Sequence, residues 1–376
     1  MADEWRVHNP DGNLRVIVTK QLPGDRWMNI LEAADCRVEV CQSTQVLTFD
    51  EIAQRIGPRC DGAIGQLTEA WTAELFGVLK DAGGRAYSNY AVGHDNVDVQ
   101  GATEHGIPVG NTPGVLTETT AEMAVALTFS AGRRIVEADS FMRAGKYEGW
   151  LPTMYIGQRF FGGTVGVVGA GRIGGAYGRM MVEGFKMNLV YFDNYRNEAL
   201  ERYVADYSAL LVAHGEAPVT CRRLDTVEDV FREADVLSLH TVLDDSTRHL
   251  VNAQRLALMK PDAILVNSSR GPVIDETALV EHCRANPDFK VGLDVFEDEP
   301  AMKPGLAELD NVVIVPHIAS ATVWTRQGMA TLAAANVAAI LQGQPLWDGD
   351  GVLPFLSGDV PAAAPSIVNA EALGLK

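Results

Sequence analysis

The run TVGVVGAGRIGGAYGRMM, residues 164–181, narrows what this 376-residue chain can fold into more than any other stretch. Gly169, Gly171 and Gly174 stand as G-x-G-x-x-G between a β-branched run and an apolar, helix-forming one. That context separates a dinucleotide fingerprint from a chance cluster of glycines. Gly169 permits a tight turn, Gly171 lets the backbone approach a pyrophosphate, and Gly174 lets helix and strand pack closely. The following helix then offers unpaired N–H groups and its positive dipole end to the anion.

Strand-like runs recur at 164–169, 188–192, 235–240, 263–268, 290–295 and 312–315, with helical stretches between them. This predicts an α/β, six-strand, doubly wound parallel sheet. The second run ends YFDN, and its Asp193 falls roughly 20 residues past the fingerprint, where a carboxylate accepts hydrogen bonds from the adenosine ribose. An acid there repels a 2′-phosphate, so NADH is expected over NADPH. Arg196 argues the other way, since an arginine can accommodate that phosphate.

An earlier alternation of strands at 14–20, 37–41, 62–66, 86–90 and 107–111 with helices near 25–35, 50–56 and 69–81 predicts a smaller α/β domain ending near residue 117. One long helix is predicted from Thr119 to about Lys146, its apolar, small-residue first half buried between domains. The segment 149–163, GWLPTMYIGQRFFGG, reads as an irregular arm whose aromatics suit a subunit interface. A helix over 323–342 follows, and the Pro/Ala-rich tail 352–376 is expected to pack on the first domain.

A net charge of −18 argues against a nucleic-acid or anionic-membrane binder, both of which need clustered Lys and Arg. No apolar run approaches the ~18 residues that span a bilayer. The five cysteines, without a CxxC pair, are read as scattered thiols in a reducing compartment. No metal site is predicted.

Ligands of doubly wound sheets bind outside the carboxyl ends of the strands. Arg270, Glu299 and His317 each come one loop past a strand in that rim. Reduction of a 2-keto acid needs a hydride at C2 and a proton on the carbonyl oxygen. An imidazolium at His317 can give the proton. Glu299 can orient the ring through its other nitrogen. Arg270 can offer a planar fork of donors to the substrate carbonyl and carboxylate.

The chain resembles the D-isomer-specific 2-hydroxyacid dehydrogenases, and within them the plant-type NADH-dependent hydroxypyruvate reductases, or glycerate dehydrogenases. The resemblance covers nearly the whole chain. It is carried by NYAVGHDNVDV, VGNTPGVLTETTAEMA, LVNSSRGPVIDE, VGLDVFEDEPAMKPGL, VPHIASAT and PSIVNAEALG, besides the fingerprint. It implies a flavodoxin-like substrate domain (1–118 and 323–376), a Rossmann NAD domain (119–322) and an active site in the cleft between them. The implied catalytic set is Arg270, Glu299 and His317. Gly169, Gly171, Arg172, Ile173, Gly174, Asp193, Thr120, Ser269 and Ser320 would bind the cofactor, with Asp294 on the nicotinamide carboxamide. Backbone N–H groups of Val92 and Gly93 would hold the substrate carboxylate. The implied reaction is NADH-dependent reduction of hydroxypyruvate to D-glycerate, and of glyoxylate, in the photorespiratory glycerate pathway. A homodimer built on the Rossmann domain and the 149–163 arm is implied as well.

The chain departs from the family pattern in places. His240-Thr241-Val242 replaces H-x-P, His94 stands where Tyr is common, and 201–224 is longer. The terminal GLK replaces a peroxisomal SKL, so mitochondrion, peroxisome and cytoplasm all stay open. The alternatives are a 3-phosphoglycerate or other D-2-hydroxyacid dehydrogenase and a non-catalytic NAD(H)-sensing scaffold. The three rim residues together favour an enzyme.

Overall fold

The computed structural model describes residues 5–375. The chain divides into two compact units, 1–116 with 321–376, and 117–320.

In the first unit, β1 (Trp5–His8), β2 (Leu14–Val18), α1 (Arg26–Ala33), β3 (Cys36–Cys41), α2 (Phe49–Ile56), β4 (Gly62–Gly65), α3 (Ala73–Asp81), β5 (Ala86–Asn89), α4 (Val99–Glu104) and β6 (Val109–Gly110) follow in turn. The sheet order is β1-β3-β2-β4-β5-β6. Without β1 this is the flavodoxin-like order. β1 is an antiparallel edge strand that the sequence reading missed. Only four residues long, it leaves Arg6 and Val7 exposed and lacks the apolar alternation that marks a strand. Thr48 and Glu51 form a reciprocal capping box at the start of α2.

The second unit contains α5 (Thr117–Gly132), α6 (Ile135–Arg143), β7 (Thr164–Val168), α7 (Arg172–Phe185), β8 (Asn188–Phe192), α8 (Glu198–Ala213), β9 (Cys221–Arg223), α9 (Val227–Glu233), β10 (Val236–Leu239), α10 (Ala253–Leu256), β11 (Ile264–Asn267), α11 (Glu276–Ala285), β12 (Lys290–Leu293) and β13 (Val312–Ile314). Its sheet is parallel throughout, in the order β13-β12-β11-β10-β7-β8-β9. The sheet has seven strands, not the six expected. The extra strand, β9, is an edge of three residues with two exposed arginines, so it carries no apolar run for a sequence to display.

The expected single helix over 119–146 is also corrected. It breaks at Arg133–Arg134, where Arg134 takes a left-handed conformation with φ 55°. The Gly132 carbonyl accepts its hydrogen bond from Gln158 N–H (2.9 Å) rather than from a further helical turn. α5 buries Ala121, Ala124, Leu127 and Ala131, whereas α6 buries nothing. The 149–163 stretch is irregular, anchored at its end by buried Phe160 against Phe129 (centroids 4.3 Å apart).

The chain then returns to the first unit through α12 (Val323–Leu341) and α13 (Leu353–Leu356). The tail packs on that unit's sheet edge: Val368 N–H donates to Val109 O (2.8 Å), and Val109 N–H donates to Asn369 Oδ1 (2.8 Å). Among the described residues no helix is long and apolar enough to cross a membrane.

Candidate active site

The β7–α7 turn is shaped by backbone. Gly169 has φ +88°, and a Cβ there would lie 2.7 Å from the His240 carbonyl at the end of β10. A Cβ on Gly174 would collide with the Gly169 carbonyl, so helix and turn can approach this closely only without a side chain. Gly171 faces open space and caps α7. The N–H groups of Arg172, Ile173 and Gly174 occupy the first helical turn, where no intrahelical acceptor exists. Asn197, not singled out from the sequence, ties this turn to the next loop: its Nδ2 donates to Ala170 O (2.7 Å), while its Oδ1 caps α8.

Asp193 lies just past β8. Its Oδ1 accepts from Tyr195 N–H (2.9 Å), and its carbonyl accepts from Arg223 Nη2 (2.9 Å). Arg196 is engaged elsewhere, with Nε and Nη2 both donating to Glu201.

On the other half of the same sheet, His317 Nδ1 lies 3.0 Å from Glu299 Oε2. Glu299 Oε1 accepts from Phe296 N–H (3.0 Å), which folds the loop back on itself around a cis Glu299–Pro300 peptide. Burial acts to raise the Glu299 pKa. The hydrogen bond and charge of His317, the Phe296 N–H and the charge of Arg270 outweigh it and hold the carboxyl below its usual range. His317 itself has φ 53°. What holds it in this left-handed turn is Asp294: its carbonyl accepts from His317 N–H (2.9 Å), its Oδ1 from Ile318 N–H (2.6 Å) and its Oδ2 from Ala319 N–H (2.9 Å). Asp294 is fully buried. Burial pushes its carboxyl up, against those N–H bonds and the His317 charge. The resemblance implies only a cofactor contact for Asp294; in the fold it also anchors the His317 turn.

Arg270 follows β11 in a loop organised by Asn267, whose Oδ1 accepts from Ser269 N–H and Oγ and whose Nδ2 donates to Arg270 O (2.9 Å). Thr120 is buried in the first turn of α5, and Ser320 is half-buried just beyond the His317 turn.

In the first unit, the loop after β5 carries Val92 and Gly93. Their carbonyls are held by Asn111 Nδ2 (2.9 Å) and Asn89 Nδ2 (3.0 Å). Their N–H groups have no acceptor among the described residues.

Residues 125–319 match the family description "D-isomer specific 2-hydroxyacid dehydrogenase, NAD binding domain". The chain is 61% identical over 372 residues to the glycerate dehydrogenase of Cucumis sativus, covering 98% of this chain and 97% of that one. It is 60% identical to the peroxisomal glycerate dehydrogenase HPR of Arabidopsis thaliana, again over 98% and 97%. The crystal structure of the TT0316 protein from Thermus thermophilus superposes with TM-score 0.77 at 36% identity, over 88% of this chain and 97% of that one.

The chain belongs to the D-isomer specific 2-hydroxyacid dehydrogenases.

The cofactor of this dehydrogenase is NAD(H), and the residues around the fingerprint fit it. The turn leaves open space beside Gly171, and its first-turn N–H groups are donors suited to a pyrophosphate. Thr241 Oγ1 and Ser268 Oγ, past the ends of β10 and β11, are buried without a hydrogen-bond partner among the described residues. Buried hydroxyls of this kind suit a polar ligand. His240 keeps the histidine of the H-x-P pattern, the departure being Val242 in place of proline; its Nε2 lies 2.9 Å from Ser238 Oγ, its ring packs 5.3 Å from Tyr177, and desolvation holds its pKa well below the usual histidine range.

Proposed function

We propose that this dehydrogenase reduces hydroxypyruvate to D-glycerate with NADH, and glyoxylate, a smaller 2-keto acid, to glycolate. The observation that carries the reading is the His317–Glu299 pair, 3.0 Å apart, on the rim that also holds Arg270. Similarity to two glycerate dehydrogenases over nearly the whole chain selects the substrate class.

When bound, NADH supplies the hydride for C2 of the keto acid. With Nδ1 engaged by Glu299, the proton for the carbonyl oxygen leaves His317 from Nε2. Glu299 orients the ring and compensates the imidazolium charge. Arg270 presents its planar fork to the substrate carbonyl and carboxylate. The free N–H groups of Val92 and Gly93 are donors suited to a carboxylate. Gly169, Gly171, Arg172, Ile173 and Gly174 hold the pyrophosphate, Asp193 the adenosine ribose, and Thr120, Ser269, Asp294 and Ser320 the remainder of the cofactor. The commitment of Arg196 to Glu201 leaves Asp193 to set the preference for NADH.

The protein functions as a homodimer in this reading. The arm exposes Trp150 (76%) and Ile156 (67%), and α6 exposes Ile135, Val136 and Met142, a concentration of apolar surface that suits a subunit interface. A photorespiratory organelle is its proposed location, by similarity to the peroxisomal relative.

Steady-state oxidation of NADH by hydroxypyruvate, glyoxylate and phosphohydroxypyruvate tests the assignment, with hydroxypyruvate expected to give the highest kcat/KM. Negligible turnover of hydroxypyruvate beside either competitor rejects it. A monomer by light scattering rejects the dimer.

A further inference from the structure

Glu276 is a buried carboxylate outside the proposed catalytic set, in the first turn of α11. Its Oε1 accepts from Glu297 N–H (2.6 Å), and its Oε2 accepts from Lys303 N–H (3.3 Å). One side chain thereby grips both ends of the loop that contains Glu299. In return, Glu297 Oε2 accepts from Glu276 N–H (3.4 Å).

The loop is gripped from a second side. His249 Nε2 lies 2.7 Å from Glu297 Oε1, and His249 N–H donates to Pro272 O (2.8 Å), two residues past Arg270. At Gly271 a Cβ would collide with the Phe296 carbonyl. The Arg270 loop and the Glu299 loop therefore pack backbone against backbone, as only glycine allows.

We propose that Glu276, with the Glu297–His249 pair as its outer brace, is a positioning residue that fixes the distance between Arg270 and Glu299 and so the alignment of Glu299 with His317. The charged groups around the clamp are Glu297, Asp298 and Lys303 on the loop and His249 beyond it. Around the Glu299–His317 pair itself stand the charges of Asp294 and Arg270. Burial raises the Glu276 pKa and the neighbouring Glu297 charge adds to this, against the two N–H bonds and Lys303. That is the expected environment for a buried carboxyl held by backbone donors rather than by a salt bridge.

The kinetic consequences rest on the proposed function; the geometric claim does not. Glu276→Gln keeps the side chain's shape but turns one acceptor into a donor facing an N–H group. The Glu299 loop is expected to loosen, with kcat for hydroxypyruvate falling by up to about 100-fold, the cost of an ångström-scale misplacement. The pH at which reduction is lost should move downward by up to about 1 unit, because the imidazolium has lost part of its counter-charge. NADH affinity, set at the fingerprint, should be unchanged. An NMR titration of His317, assigned by the resonance missing in His317→Ala, should show the same downward shift without any turnover. A purely structural Glu276 would lower Tm while kcat, pH profile and His317 titration stay as in the wild type, and that result overturns the proposal. If Glu276→Gln does not fold, His249→Gln decides: a smaller shift of the same sign supports the clamp, and an unchanged profile rejects it. Should the wild type reduce no 2-keto acid, the functional reading falls, while the NMR titration still judges the clamp.

Discussion

The loop after β7 and the loops after β11, β12 and β13 open on the same edge of one parallel sheet, yet they are built in opposite ways. The first is made of backbone: Gly169, Gly171 and Gly174 matter for the side chains they lack. The others are made of side chains, each on a loop whose backbone another side chain holds: Asn267 holds the Arg270 carbonyl, Asp294 the N–H groups that follow His317, and Glu276 the N–H groups of Glu297 and Lys303 on either side of Glu299. A backbone site fails through collision and a side-chain site through lost charge or lost orientation, so substitutions in the two regions should separate binding from chemistry.

The sharpest way to break this comparison is His317→Ala. It should lower kcat by about 10²–10⁴, the usual range for a lost general acid, while the Kd for NADH measured by fluorescence stays put. A parallel loss of NADH affinity would mean that the two regions are one site energetically. Gly174→Ala probes the other side. The new methyl meets the Gly169 carbonyl, so about 1–3 kcal/mol of stability should go, together with NADH affinity; calorimetry showing an unchanged Tm would contradict the close packing.

Asp193→Ser should reduce the NADH-over-NADPH ratio of kcat/KM by about 10-fold or more, since a hydrogen bond to a charged group is worth about 1.5–3 kcal/mol. An unaltered ratio would remove Asp193 from the ribose. The smallest effect is on pH-dependent stability. The Glu299 pKa is depressed in the folded state, so its contribution is present above the unfolded value of about 4.3 and lost as pH falls through the folded value. Denaturant unfolding at about pH 6 and about pH 3 should therefore show a narrower stability gap for Glu299→Gln than for the wild type. An equal gap would say that the pair with His317 stores no folding energy.

Legibility in the sequence follows the same division. The glycine turn could be read directly, because G-x-G-x-x-G after a β-branched run encodes its geometry in composition. Asp193, Arg270, Glu299 and His317 could be picked out as polar residues just past apolar strands. Their supports could not be. Glu276 and Asn267 look like ordinary polar residues near loop ends, and Asn197 looks like a helix cap and nothing more. Each has its role through a partner well separated along the chain or across a turn with no sequence signature. The helix break at Arg134 was hidden for the same reason: the group that ends α5, Gln158 N–H, comes from 26 positions further along the chain than Gly132. β9 escaped because two arginines on an edge strand have no face to bury.

By itself, then, the sequence determined the two alternating α/β patterns, the dinucleotide turn and the identity of three ionisable rim residues, since these depend on local periodicity and on where glycine is obligatory. Tertiary structure alone decided which oxygen of Glu299 meets which nitrogen of His317, the left-handed turn that presents the ring, and the carboxylates of Asp294 and Glu276 that hold both in place. Those are long-range hydrogen bonds in a desolvated interior, and their geometry exists only once the strands are side by side.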